Sequence, residues 1–333
     1  MSGDARYPLL IALLAAATLA LFSLSLTVGP AGIAFADSIM ALFSDKADGV
    51  ALIMHEIRLP RALLGLMIGA TLGLSGAVLQ GYLRNPLAEP GLLGISATAS
   101  LGAVLSIYTG LAAAFALALP LAALAGAVVA VVVVQAMAGA HGNSLLIILA
   151  GIAVSSFAGA MTSLALNVSP NPFAALEIMF WMLGSLTDRS MTHVWLAAPF
   201  MLAGWAMLGA LGRALDALTL GSETAASMGV DMKRVQVLAV FGTAASVGAA
   251  TAVAGAIGFV GLVVPHILRP LVGAKPSRLL LASALGGACV VLAADVAVRL
   301  IAPGRDLKLG VLTAIVGAPF FLWLVLRARR RLT

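Results

Sequence analysis

Residues 59–94 read LPRALLGLMIGATLGLSGAVLQGYLRNPLAEPGLLG. From Leu59 to Tyr82 the stretch is almost wholly apolar, long enough for the roughly 20 residues that a transmembrane helix needs. Arg84, Asn85, Pro86, Glu89, Pro90 and Gly91 then break it. Each proline removes a donor and pushes the residue before it away from the α region, so no helix runs through. Outward in both directions the pattern of apolar run and polar break repeats. The predicted spans are 8–28, 59–82, 91–110, 113–137, 144–166, 193–211, 235–254, 257–272, 279–300 and 308–326, with Pro265 making the eighth short or broken. The fold class is therefore an all-α polytopic membrane protein of about ten transmembrane helices, in one domain over 1–333.

Bulk composition agrees. Of 333 residues, 62% are hydrophobic and 10% charged, against about 45–50% and roughly 25% in soluble domains. That excludes a soluble enzyme, a disulfide scaffold and a disordered chain. The net charge of +6 comes from 19 basic and 13 acidic residues. The basic residues are scattered through short loops rather than forming a stripe, so nucleic acid is not the partner. Arg6 precedes the run 8–28 as in a signal peptide. The run exceeds the 7–15-residue core of such peptides and Thr27-Val28-Gly29 is a poor cleavage site, so it reads as the first helix.

Ten spans put both termini on one side. With the termini in the cytoplasm, that side holds twelve basic residues (Arg6, Arg84, Arg213, Lys233, Arg234, Arg269, Lys275, Arg278, Arg327, Arg329, Arg330, Arg331) against seven outside (Lys46, Arg58, Arg61, Arg189, Arg299, Arg305, Lys308), as the positive-inside rule favours. A shift of 179 residues lays Gly69-Ala70 on Gly248-Ala249 and Gly76-Ala77 on Gly255-Ala256. Leu83, Pro86, Leu92 and Gly94 then fall on Leu262, Pro265, Leu271 and Gly273. The matched segments lie five spans apart, and an odd separation makes the repeat inverted, as in transporters.

No nucleotide-binding GxxxxGK[ST] loop, HExxH or GxSxG is present. The four histidines lie far apart with no metal-ligand spacing, so no metal and no cofactor is predicted for this chain. Cys289, the only cysteine, follows Gly286-Gly287-Ala288 and reads as a small residue at a helix contact. Asp295 is the acid nearest mid-span, and Arg299 one turn later suggests an intrahelical pair near the outer surface. An ion-gradient-driven carrier is one alternative that the inverted repeat allows; scarce mid-membrane acids argue against it.

Two loops stand out. LGSETAASMGVDMKRVQ (220–236) reads as two helices about a corner: Ser222 as N-cap, Glu223 in the first turn, Gly229 in the left-handed position that ends the helix, and Asp231 capping the next. Such a knob is either a plain connection or a docking element. The 84–91 cluster is either a gate lining a water-filled path or a tight interfacial turn, because irregular backbone at membrane depth needs burial or water.

These segments, with RLPR (58–61), SGAVLQGYLRNPLAEPGLLGISATASLGA (75–103), FWMLGSL (180–186), LGSETAASMGV (220–230), AGAIGFVGLVVPHILRPLVG (254–273), ALGGACVVLAADVAVR (284–299) and GVLTAIVGAPFFLWLVL (310–326), resemble the FecCD-type permeases of type II ABC importers. The family carries ferric siderophores, haem or cobalamin. The resemblance implies a permease subunit of the bacterial inner membrane, paired with a second permease subunit, here a homodimer. It also implies two cytoplasmic ATPase subunits, which bind ATP and magnesium, and an extracytoplasmic binding protein, with lipid around the bundle. A cytoplasmic coupling segment of about 212–234 is implied, with Gly221, Ser222, Glu223, Ala226, Met228 and Gly229 meeting the ATPase. Arg58, Arg61 and Arg299 match outward arginines that dock the binding protein; Asn85, Leu87 and Ser144 match positions at the cytoplasmic gate. In one departure, Asp306-Leu307-Lys308-Leu309-Gly310 has lysine where the family often has proline.

Overall fold

The computed structural model describes residues 3–29, 32–43, 48–115, 117–139, 144–169, 172–302 and 307–329. Along the chain they form α1 (Gly3–Thr27), α2 (Phe35–Leu42), α3 (Gly49–Ile53), α4 (Leu59–Tyr82), α5 (Ile95–Tyr108), α6 (Leu111–Ala114), α7 (Ala118–Ala138) and α8 (Ser144–Asn167). Then come α9 (Pro172–Met182), α10 (Met191–Gly209), α11 (Gly212–Leu218), α12 (Ser222–Ser227), α13 (Met232–Ala254), α14 (Val260–Leu268), α15 (Pro276–Ile301) and α16 (Leu309–Arg329). A π-helical turn, Met54–Arg58, joins α3 to α4, so one continuous helical span of 34 residues runs from Gly49 to Tyr82.

Among the described residues, seven helices are long and apolar enough to cross a membrane. The other three expected spans fall on shorter apolar helices: Ile95–Tyr108, Val260–Val272 and Leu309–Leu324. All ten predicted spans therefore coincide with apolar helices. A further apolar helix, α9, fills the gap between the fifth and sixth spans, where only the FWMLGSL motif marked the sequence.

The bundle is organised around α4 and α13, with 83% and 78% of their most apolar windows buried against 17% for α1. In the 179-residue repeat α13 is the counterpart of α4. The repeat is sharpest just beyond: the 3₁₀ turns Pro90–Leu93 and Arg269–Val272 lie 179 residues apart, ending on Gly94 (φ 74°) and Gly273 (φ 69°). The two copies differ where α13 stops at Gly255 (φ 74°) while α4 continues through Gly76. Here the chain between α9 and α10 threads past the end of α13. Ser185 N–H donates to Ala254 O at 2.7 Å, and a Cβ on Gly255 would lie 2.3 Å from Trp181 O.

Close helix approach explains the small residues. A Cβ added at Gly73 would fall 1.9 Å from Ser283 O, and one at Gly69 2.4 Å from Gly287 O, so α4 and α15 touch backbone to backbone. Without a hydrophobic drive between helices in lipid, such contacts supply the packing that holds a bundle together. Cys289 sits at the α1–α15 contact, 3.2 Å from Thr18 Oγ1.

Candidate functional site

The chain places its unusual residues at the two ends of α15. At the first end, α11 and α12 form a helical hairpin. The N-cap of α12 is Gly221 rather than Ser222: the turn out of α11 needs φ 107° there, a conformation glycine takes without penalty, and Ser222 becomes the first helical residue with no side-chain cap bond. Gly229 does take the left-handed conformation after the helix (φ 87°), and Asp231 Oδ1 does accept from Arg234 N–H at 3.0 Å. Ala225, on the inner side of α12, is fully buried, while Ser222, Glu223, Ala226, Met228 and Gly229 are exposed and Gly221 is half-buried. Met228 is 62% exposed, an apolar side chain presented outward.

The hairpin is fastened to the bundle by Asp216. Its Oδ1 accepts the backbone N–H of Ser277 at 2.8 Å, in the first turn of α15, where a carboxylate is favoured by the helix dipole. Oδ2 lies 3.8 Å from Lys275 Nζ. Asp216 thus links α11 to the first turn of α15, and the glycine seam links α15 to α4.

At the far end of α15, Asp295 (1% exposed) holds two guanidinium groups. Arg61 Nη2 and Nε lie 2.8 and 2.9 Å from Oδ1, and Arg299 Nη2 lies 2.7 Å from Oδ2. Arg299 Nη1 also donates to Ser25 O and Val28 O at 2.8 and 2.7 Å. Arg58 Nη1 donates to Leu26 O and Thr27 O, both at 3.0 Å. The carbonyls that end α1 have no partners within the helix, and two arginines satisfy three of them together with the Val28 carbonyl just beyond. At this end of the bundle the three side chains turn inward. Arg58 is 4% exposed, and Arg61 and Arg299 have 15% and 9% of their side chains exposed, because one buried carboxylate and the end of α1 bind them inward. They are not snorkelling at headgroups either. Arg58 Nη2 is buried with no hydrogen-bond partner among the described residues.

The proline loop is an ordered turn. Asn85 Oδ1 accepts Leu87 N–H at 3.0 Å, and Ala88 N–H donates to Asn85 O, with Arg84 at φ 49°. Ser144 opens α8, but its side chain lies outside the described residues; α8 meets this region further along, where a Cβ on Gly151 would fall 1.9 Å from Leu92 O. Burial pushes the Glu89 carboxyl above its usual range, opposed by a hydrogen bond from the Phe259 backbone. Beside it Gln80, 1% exposed, donates to Gly261 O and Leu262 O and accepts from Arg269 Nη2 at 2.7 Å. Arg269, one of the basic residues counted on the cytoplasmic side, ties the repeat's second 3₁₀ turn to α4. No sequence signal pairs Gln80 with Arg269 across 189 residues. Lys308 stands over the Phe180 ring at 5.4 Å, and Asp306 lies outside the described residues. Among the described residues no three His, Cys, Asp or Glu side chains gather as a metal site.

A helical bundle with a broken, repeated core, an exposed hairpin fastened at one end and a buried charge cluster at the other is the architecture of a membrane permease. Residues 17–327 match the FecCD transport family, and the chain belongs to it. It is 36% identical over 297 residues to the hemin transport system permease protein HmuU of Yersinia pestis, covering 85% of this chain and 86% of that protein. It is 40% identical over 275 residues to the cobalamin import system permease protein BtuC of Halobacterium salinarum, covering 82% and 73%. A solved structure described as an inward-facing conformation of a metal-chelate type ABC transporter superposes with a TM-score of 0.85 at 29% identity, covering 96% of this chain and 99% of that one. The chain is thus an ABC transporter permease, not an enzyme, and works with an ATPase and a substrate-binding protein.

Proposed function

We propose that two copies of this chain form the translocation pathway for an iron chelate (ferric siderophore or haem) or cobalamin, in the inner membrane with both termini cytoplasmic. ATP and magnesium are bound by two cytoplasmic ATPase subunits; the permease itself carries no cofactor. The observation that carries this reading is the α11–α12 hairpin: it presents Glu223, Ala226 and Met228 to an outside partner and is fastened through Asp216 to α15. Segment 212–234 is the coupling element, and closure of the ATPases pulls on α15 through it. Asn85, Leu87 and Ser144 form the gate on the same side.

The binding protein docks at the Asp295 end. Within the cluster three guanidinium groups face one carboxylate, and charge complementarity with the binding protein there sets orientation more than affinity. Arg61 and Arg299 contribute by fixing the helix ends that the binding protein meets, and Arg58 by holding the end of α1. Co-purification of the tagged chain in mild detergent tests the assembly. A stoichiometric P-loop ATPase is expected, and a chain that is reproducibly free of ATPase under gentle cross-linking overturns it.

A further inference from the structure

Between α1, α4, α10 and α15 lies an open groove of about 860 Å³ that the transport reading does not use. Its walls are apolar, set by Leu66, Leu74, Leu281 and Leu285, with Trp205 turned to hydrogen-bond Thr71. The groove follows α15 from Ser277 to Ala288, about 16 Å at 1.5 Å per residue. That is half of a roughly 30 Å hydrocarbon core, the depth of one leaflet. At its mouth stands Arg213, exposed and without an ion pair or hydrogen bond among the described residues. The neighbouring acid, Asp216, is already committed to Ser277 and Lys275. Next to Ser277, Arg278 holds a second guanidinium over the Tyr7 ring at 5.3 Å.

A greasy slot one leaflet deep under a cationic rim fits an amphiphile with an anionic head, and we infer that it binds an anionic phospholipid. One acyl chain lies along α15, and the phosphate sits on Arg213. Basic pockets between membrane helices recognise headgroups in this way. The lipid would occupy the angle between α10 and α15 beside α11, the helix that leads to the exposed hairpin.

Native mass spectrometry of the full complex, with added phosphatidylglycerol or phosphatidylcholine, tests this. The wild type should retain phosphatidylglycerol preferentially. Arg213→Gln, a change at an exposed position, should weaken that retention about fivefold, the effect of one basic residue at a lipid surface. Leu281→Trp, which fills the groove from an exposed position, should weaken retention of both lipids. Equal retention of the two lipids by the wild type, or Arg213→Gln binding as the wild type does, overturns the assignment. A groove that stays lipid-free because a second copy covers it overturns it as well.

Discussion

Arg61 and Asp295, 234 residues apart in sequence, are joined by Nε and Nη2 reaching Oδ1 at 2.9 and 2.8 Å. Because Arg299 takes the other oxygen of the same buried carboxylate, one acid fixes the ends of α4 and α15 relative to each other and to α1. Removing a single partner from a buried pair strands the remaining charge, at a cost of about 3–5 kcal/mol. Asp295→Asn should therefore melt well below the wild type in a detergent thermal scan. A variant melting with the wild type would mean that the cluster is solvated and adds little.

The seam between α4 and α15 predicts a sharp contrast between glycines. Gly73→Ala drives a methyl to within 1.9 Å of Ser283 O and should destabilise by about 1–3 kcal/mol, as overpacking does. Gly159→Ala, on α8 with nothing within 4 Å of the new Cβ, should stay within about 0.5 kcal/mol of the wild type. Thermal stability of the two purified variants decides; equal behaviour would refute the tight seam.

How much of this was legible beforehand divides by range. Every predicted span coincides with an apolar helix, because apolar runs and their Pro, Gly and charged breaks are local signals. The turn chemistry at Gly229 and Asp231 is local too. Ser222 missed its cap by one residue because the positive φ demanded by the exit from α11 selects Gly221. The Asp295–Arg299 pair followed from one-turn spacing, whereas Arg61, Gln80–Arg269 and the tie from Asp216 to Ser277 depend on tertiary closeness that spacing cannot reveal. The inward turn of the three arginines has the same origin: the partners that claim them lie on other helices.

Binding-protein association should carry the signature of a field. Its rate should fall as salt rises, since the screening length shrinks from about 30 Å at 0.01 M to about 10 Å at 0.1 M. Arg58→Met should lower the rate at low salt and flatten that dependence, measured by stopped-flow or surface capture. A salt-independent rate, unchanged in the variant, would remove the electrostatic account of docking.

Glu89 gives a pH dependence of defined sign. Burial raises its pKa in the folded protein, so the folded state holds the proton more tightly than the unfolded state. Its contribution is full below the ordinary carboxylate range, about 4.3, and is lost as pH rises through the higher folded value. Glu89→Gln should thus gain in thermal stability relative to the wild type as pH increases over that window. A pH-independent difference would show the carboxyl to be solvated.

The central claim, that the exposed hairpin passes ATPase closure to the helices, is tested most directly in proteoliposomes holding the complete importer. The readout is ATP-driven uptake of whichever of cobalamin, haem or a ferric siderophore the wild type carries. Glu223→Ala with Met228→Ala changes two exposed side chains, so the chain should fold and insert normally. Uptake is predicted to drop at least about tenfold, the effect of roughly 1.4 kcal/mol of lost coupling. Full ATP-dependent uptake by the double variant would contradict the coupling role of the hairpin.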